Sequence, residues 1–199
     1  MMINNFLKIL AFFGLILLSP LIILSSLLVL IEDGFPVLFM QDRLGLDKKI
    51  FTIYKIRSMY KETPNLGTHE VSNIQYLKVG HFIRKFKIDE LPQVINYIRG
   101  DINLIGPRPG LPNQAELLKK REQNNVFHIK PGITGFAQVL GYDMSNPGVL
   151  ANIDELYIKR KSFKLDLMIF IATFIKSYRQ KLSLKFREEI MESEKKKND

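Results

Sequence analysis

Between Phe6 and Ile31 the only charged side chain is Lys8, and an apolar run of this length is long enough to enter the hydrocarbon of a bilayer. This feature divides the chain. A helix in lipid must satisfy its own backbone polar groups, so residues 1–33 read as a membrane segment and the fold proper has to be built from the remaining residues. A cleaved signal peptide fits poorly, because the run is long, one lysine precedes it and no small-x-small site comes after it. In the middle of the run, in "LLSPLI", Pro20 removes a backbone donor and crowds the preceding turn, while the Ser19 hydroxyl can bond a freed carbonyl. Two arrangements are open. Length and composition favour a kinked helix that spans the bilayer, and a helix broken at Ser19–Pro20 that enters and leaves on one face is the alternative. The basic remainder argues for a main body on the cytoplasmic side.

The residues beyond the run suffice for one domain, placed over 34–180, followed by a charged and flexible tail over 181–199. "KKIFTIYKIRSM" alternates β-branched and aromatic residues with Lys55 and Arg57, the pattern of a short strand. "KETPNLGTHEVSN" is a polar loop. "YLKVGHFIRKFKI" is a basic amphipathic stretch suited to a helix in the headgroup plane. "DELPQVINYIRGD" spaces Leu91, Val94, Ile95 and Ile98 as the buried face of a short helix, with Gly100 just past its end. "AELLKKREQN" and "NIDELYIKRKS" read as helices, and "KPGITGFAQVLGY" as a glycine-punctuated turn leading into an extended piece. The apolar core of "FKLDLMIFIATFIKSYRQKLSLKF" is too short to span and reads as interfacial. The fold class is therefore α+β, helix-dominated, lying on a membrane.

A formal net charge of +9 suits anionic headgroups, phosphorylated substrates or nucleic acid. Nucleic acid fits least, since the aromatics among the basic residues alternate with membrane-facing aliphatics in a lipid-anchored chain. There is no cysteine, and His69, His81 and His128 lack metal-ligand spacing. No Walker-type loop and no GxGxxG is present.

What stands out is "RKFKIDELPQ". Asp89 and Glu90 follow a basic run and precede Pro92, which is tolerated in the first turn of a helix. Two carboxylates at a helix start are what an ordinary cap looks like. They are equally what a reaction centre needs. Arg84, Lys85 and Lys87 upstream and Arg108 downstream place cations beside them, a set suited to a phosphate together with a divalent ion. An ionised aspartate can also attack phosphorus and form an acyl phosphate.

Through "KIRSM", "FIRKFKIDELPQVINYIRGDINLIGPRPG" and "KPGITGFAQVLG", in that order, the sequence resembles the bacterial sugar transferases that act on polyprenyl phosphate, the monotopic phosphoglycosyl transferases. The match runs from the membrane segment to about Phe174, and the short, single-domain members are the nearest in organisation. The resemblance implies transfer of a sugar 1-phosphate from a UDP-sugar to undecaprenyl phosphate, with release of UMP, as the first membrane step of glycoconjugate assembly. It implies a requirement for Mg2+, ping-pong kinetics, and a location on the cytoplasmic face of the bacterial inner membrane among membrane lipids and downstream glycosyltransferases.

Residue by residue, it implies that Asp89 is the nucleophile, that Glu90 helps to hold the metal beside Asp89, and that Arg84 contacts phosphate. It places Pro107, Arg108 and Pro109 near the nucleotide, and Lys55, Arg57 and Asp154 among the substrate-binding residues. It also implies the re-entrant form of the membrane helix, broken at Ser19–Pro20, against the spanning form that length alone favours. Many relatives carry Arg after the "AQVxG" motif where this chain has Tyr142 and Asp143, so the resemblance carries over neither the nucleotide or phosphate grip at that edge nor the identity of the sugar. Two rival functions are a membrane-bound phosphatase or nucleotide-sugar hydrolase, in which water replaces the lipid phosphate, and a non-catalytic interfacial anchor.

Overall fold

The computed structural model describes residues 2–64 and 75–195, residues 2–5 by their backbone alone. Gly67 and His69 of the polar loop and the last four residues of the tail lie outside the described residues. Helices dominate and the strands are short, so the α+β class expected from the sequence holds. The chain forms two compact units, Met1–Asp42 with Thr52–Asp101, and Arg43–Phe51 with Ile102–Asp199.

The first unit is built on the apolar helix α1 (Met2–Asp33). Pro20 lies inside it and cannot donate to the carbonyl four residues back, and the Ser19 hydroxyl takes that role, donating to Ile16 O at 2.7 Å. Along most of its length α1 shows its side chains to the surroundings, Leu17 at 80% and Ile31 at 81% exposure among them. By length and composition, Phe6–Asp33 could cross a membrane. Its last turns do pack: Val29 joins Ile56, Leu77, Ile83 and Ile88 in the core of this unit. Strands β1 (Leu38–Leu44) and β2 (Ile50–Ile56) pair as a two-stranded sheet, whose tip belongs to the second unit. Helices α2 (Lys78–Lys85) and α3 (Gln93–Arg99) follow. A Cβ on Gly80 would lie 2.1 Å from Ser58 O, so α2 rests backbone to backbone on the end of β2.

On α3 the buried residues are Gln93, Asn96 and Tyr97, whereas Ile95 is 41% exposed. The aliphatic face expected from spacing is thus not the one turned inward. Asn96 is fully buried because its amide donates to Thr52 O and to the Asp101 carboxylate and its oxygen accepts from Tyr54 N, stitching α3 to β2. Gly100 closes the helix at φ 89°, as expected.

In the second unit β3 (Asn103–Ile105) and β4 (Gly132–Thr134) are parallel, Asn103 opposite Gly132 and Ile105 opposite Thr134. Parallel neighbours need a crossover, and α4 (Ala115–Gln123) supplies it. A Cβ on Gly132 would lie 2.1 Å from Gly106 N, so the strand ends approach closely only because both positions are glycine.

The piece after β4 is a helix, α5 (Phe136–Leu140), where an extended segment was expected. Gly135 and Gly141 read as turn signals, yet here they cap a helix, Gly141 in the left-handed conformation at φ 90°. Helices α6 (Pro147–Arg160), α7 (Phe163–Phe174), α8 (Lys176–Lys185) and α9 (Arg187–Lys195) complete the unit around Phe136, Ile153, Tyr157 and Ile169. The tail expected to be flexible is helical through Lys195. Its charge conceals buried residues four apart, Leu182 on α8, Phe186 at the junction and Ile190 on α9.

Candidate active site

Asp89 and Glu90 lie on a single 3-10 turn, Ile88–Glu90, between α2 and α3. Lys87 turns the chain out of α2 through the left-handed conformation, with φ 56° and ψ 25°, and Ile88 is anchored in the core. Helix α3 starts after the pair, with Pro92 at its N-cap position and no side chain capping it. Neither carboxylate serves as the ordinary helix cap that the local sequence allowed.

The two acids have different surroundings. Asp89 is only 5% exposed, whereas Glu90 accepts a hydrogen bond from the Lys55 ammonium at 2.8 Å. Burial pushes the Asp89 carboxyl above the usual aspartate range. Lys55 pulls against that, the Glu90 charge adds to it, and Arg84 pulls it back again. Lys55 is held by β2 and Arg84 by α2, where the Arg84 guanidinium sits 5.0 Å over the Tyr76 ring and reaches Ser58 Oγ at 3.4 Å. Dyad, Lys55 and Arg84 are therefore brought together within one unit. Chemically, they offer a buried carboxylate, a paired carboxylate and two cations, a set able to receive phosphate and attack it. Because Lys55 is the foremost influence holding the Asp89 proton affinity down, Lys55→Met should move the acid limb of any Asp89-dependent activity to higher pH. A pH–rate profile of the variant checks this, and an unchanged limb would contradict it.

Arg57, on the same strand end, has a different engagement. It is 5% exposed, and its guanidinium bonds the Asp33 carboxylate together with Asp33 O at 3.2 Å and Gly34 O at 2.7 Å.

Pro107, Arg108, Pro109 and Asp154 lie in the second unit. Four successive carbonyls of the loop are held in place. Pro107 O accepts from Gly132 N at 2.9 Å, Arg108 O from Arg121 Nη1 at 2.8 Å, Pro109 O from Arg43 Nη1 at 3.0 Å and Gly110 O from Leu44 N at 3.0 Å. Asp154 is enclosed in the core at 2% exposure and bonded by Arg121 Nε at 3.0 Å and Nη2 at 2.6 Å. Burial pushes Asp154 up and the Arg121 guanidinium pulls it back. Asp154 thus acts on the loop through Arg121. Tyr142 donates its hydroxyl to Glu194 at 2.6 Å; burial and then that carboxylate push the phenol up to about 12.

Among the described residues no three His, Cys, Asp or Glu side chains gather as a metal site. The dyad still fits magnesium, which is commonly held by one or two carboxylates and completes its shell with water and substrate phosphates. Arg121, Asn96 and Asp33 carry no motif that would single them out in the sequence. The placing of Asp33 with Glu32 at the boundary of the apolar run is the one signal that could have drawn attention there.

The profile described as "Bacterial sugar transferase" matches residues 2–180. An uncharacterized sugar transferase, EpsL, of Bacillus subtilis is 38% identical over 155 residues, covering 78% of this chain and 76% of that protein. A UDP-N-acetylgalactosamine-undecaprenyl-phosphate N-acetylgalactosaminephosphotransferase of Aeromonas hydrophila is 36% identical over 79% of this chain. A UDP-glucose:undecaprenyl-phosphate glucose-1-phosphate transferase of Caulobacter vibrioides is 34% identical, also over 79% of this chain. The chain spans only 39% and 62% of the length of these last two relatives. With a profile match over nearly the whole described chain and an acidic dyad set among cations, this protein belongs to the bacterial sugar transferase family.

Proposed function

We propose that the chain transfers a sugar 1-phosphate from a UDP-sugar to undecaprenyl phosphate through a covalent intermediate on Asp89. The observation that carries the reading is the pairing of a buried Asp89 with Lys55, Glu90 and Arg84 around one turn, in a chain whose relatives are named for this reaction. An Asp89 carboxylate oxygen attacks the phosphorus that bears the sugar. The diphosphate P–O bond breaks, and UMP departs with the bridging oxygen. A phosphate oxygen of the acceptor then attacks the same phosphorus, the bond to Asp89 breaks, and the carboxylate is regenerated.

Arg84 contacts donor phosphate, and Lys55 keeps Glu90 oriented until the donor's own charge competes for it. Arg108, on its rigid loop between Pro107 and Pro109, contacts the nucleotide, and Asp154 supports that loop through Arg121. Arg57 serves the site by fixing the end of β2. Asp89 and Glu90 would hold magnesium, which neutralises diphosphate charge when bound.

The helix α1 is continuous through Ser19–Pro20 in the structure, and in the proposed reading it breaks there in the bilayer, entering and leaving the membrane on one side, with the rest of the chain at the cytoplasmic face of the inner membrane. The exposed apolar side chains of α1, with only its second half, from Leu21 to Val29, packed on the core, support contact with a membrane. Incubation of the purified protein with magnesium and a panel of UDP-sugars, with and without undecaprenyl phosphate, tests the reaction. Sustained UMP release that needs the lipid supports transfer. Sustained release without it identifies a hydrolase.

A further inference from the structure

The apolar run ends at Ile31, 81% exposed, and the next two residues are both carboxylates engaged with the frame that carries the dyad. Glu32 accepts from the first two amides of α2, Lys78 N at 2.6 Å and Val79 N at 3.1 Å. Asp33 bonds the Arg57 guanidinium at the end of β2 and accepts from Lys61 N at 3.0 Å. One side chain therefore grips the helix that leads into the dyad and presents Arg84, and the other grips the strand that presents Lys55.

Strand and helix of that frame are also tied to each other, and Val29 of α1 packs into their shared core beside Ile56, Leu77, Ile83 and Ile88. Leu77 N donates to Ser58 O at 3.1 Å, Gly80 rests against the same carbonyl, and Lys55 bonds Glu90. The two carboxylates are the polar ties between this frame and the point where the hydrocarbon-seeking part of the chain stops. The phosphate of a lipid-linked acceptor lies at headgroup level, whereas a nucleotide sugar arrives from water.

We propose that Glu32 and Asp33 are positioning residues that set the depth of the Asp89–Glu90 dyad against the end of the apolar helix, and so govern the acceptor half of the reaction. The inference rests on the transferase reading above. A purely structural role would impair both halves together, because both use the same dyad.

The test uses the full chain in bilayer nanodiscs, as wild type, Glu32→Ala and Asp33→Asn, with melting temperatures recorded for each. Single-turnover UMP release without undecaprenyl phosphate reports the donor half, and discharge of the phosphosugar to undecaprenyl phosphate, with the acceptor KM, reports the second. The expected result is donor-half rates within about twofold of wild type and an acceptor step slowed on the order of 10- to 100-fold, the size of effect that ångström-scale misplacement produces. Equal losses in both halves, no loss in either, or failure of both variants to fold would overturn the proposal. A wild-type protein that releases no UMP from any UDP-sugar overturns the transferase reading itself, and the positioning role with it.

Discussion

Replacing Asp89 by Asn should lower UMP release by a factor on the order of 10⁴ or more, the scale of loss when an essential active-site group is removed. The same substitution should raise the melting temperature at neutral pH. Both effects have one cause. Asp89 is held at 5% exposure with burial as the main influence on its proton affinity, and in the proposed reaction it is the ionised form that attacks phosphorus. Its folded pKa is raised above the unfolded value, so the folded protein binds this proton more tightly than the unfolded chain does. The destabilisation by the charge is therefore absent below the unfolded pKa. It grows as pH rises through the folded pKa and is complete above it. Asn keeps the shape without the charge, so the variant's advantage in melting temperature should vanish in acid. Melting curves of both proteins across the acidic range check the sign, and a variant less stable than wild type at neutral pH would contradict it.

The second large effect is on stability. Arg121→Met should destabilise the second unit by about 3–5 kcal/mol, because it strands the Asp154 charge in the core. At a few degrees per kcal/mol for a chain of this size, that is a fall of roughly 6–20 °C in melting temperature. Without the guanidinium, Asp154 can relieve its burial only by taking up a proton, so the deficit should be smaller in mild acid than at neutral pH. Adding Asp154→Leu should recover much of the loss, since apolar residues of similar volume replace buried ion pairs without great cost. A single variant as stable as wild type would show that the pair contributes nothing. Because Arg121 also holds the Arg108 carbonyl, and the proposed reading puts Arg108 on the nucleotide, the doubly substituted protein should regain stability without regaining donor affinity.

What could be read from the sequence tracked the strength of the local signal. The apolar run, the strand through Lys55, the basic helix, and Gly100 as a helix end are each fixed by composition or backbone chemistry within a few residues. The dyad was visible as an oddity of charge, two carboxylates in basic surroundings. Its place on a separate turn ahead of α3 was not, since Pro92 is equally at home at a helix start. The inward face of α3 was misread because Asn96 is buried by three specific hydrogen bonds, a reason no periodicity expresses. Helix α5 was hidden because glycine marks helix ends as readily as turns. The helical tail was hidden because one buried residue per turn is enough to dock it while the others carry charge. Long-range partners such as Arg121 with Asp154 and Arg57 with Asp33 have no local signature at all.

The proposed reaction depends above all on a covalent bond to Asp89. Intact-protein mass after rapid mixing with the reactive UDP-sugar and magnesium, without acceptor, measures it directly. Wild type should gain one phosphosugar, lose it on addition of undecaprenyl phosphate, and yield the modified peptide at Asp89, while Asp89→Asn gains nothing. Lipid-dependent UMP release from wild type with no adduct at any quench time, or the same adduct on Asp89→Asn, would contradict it.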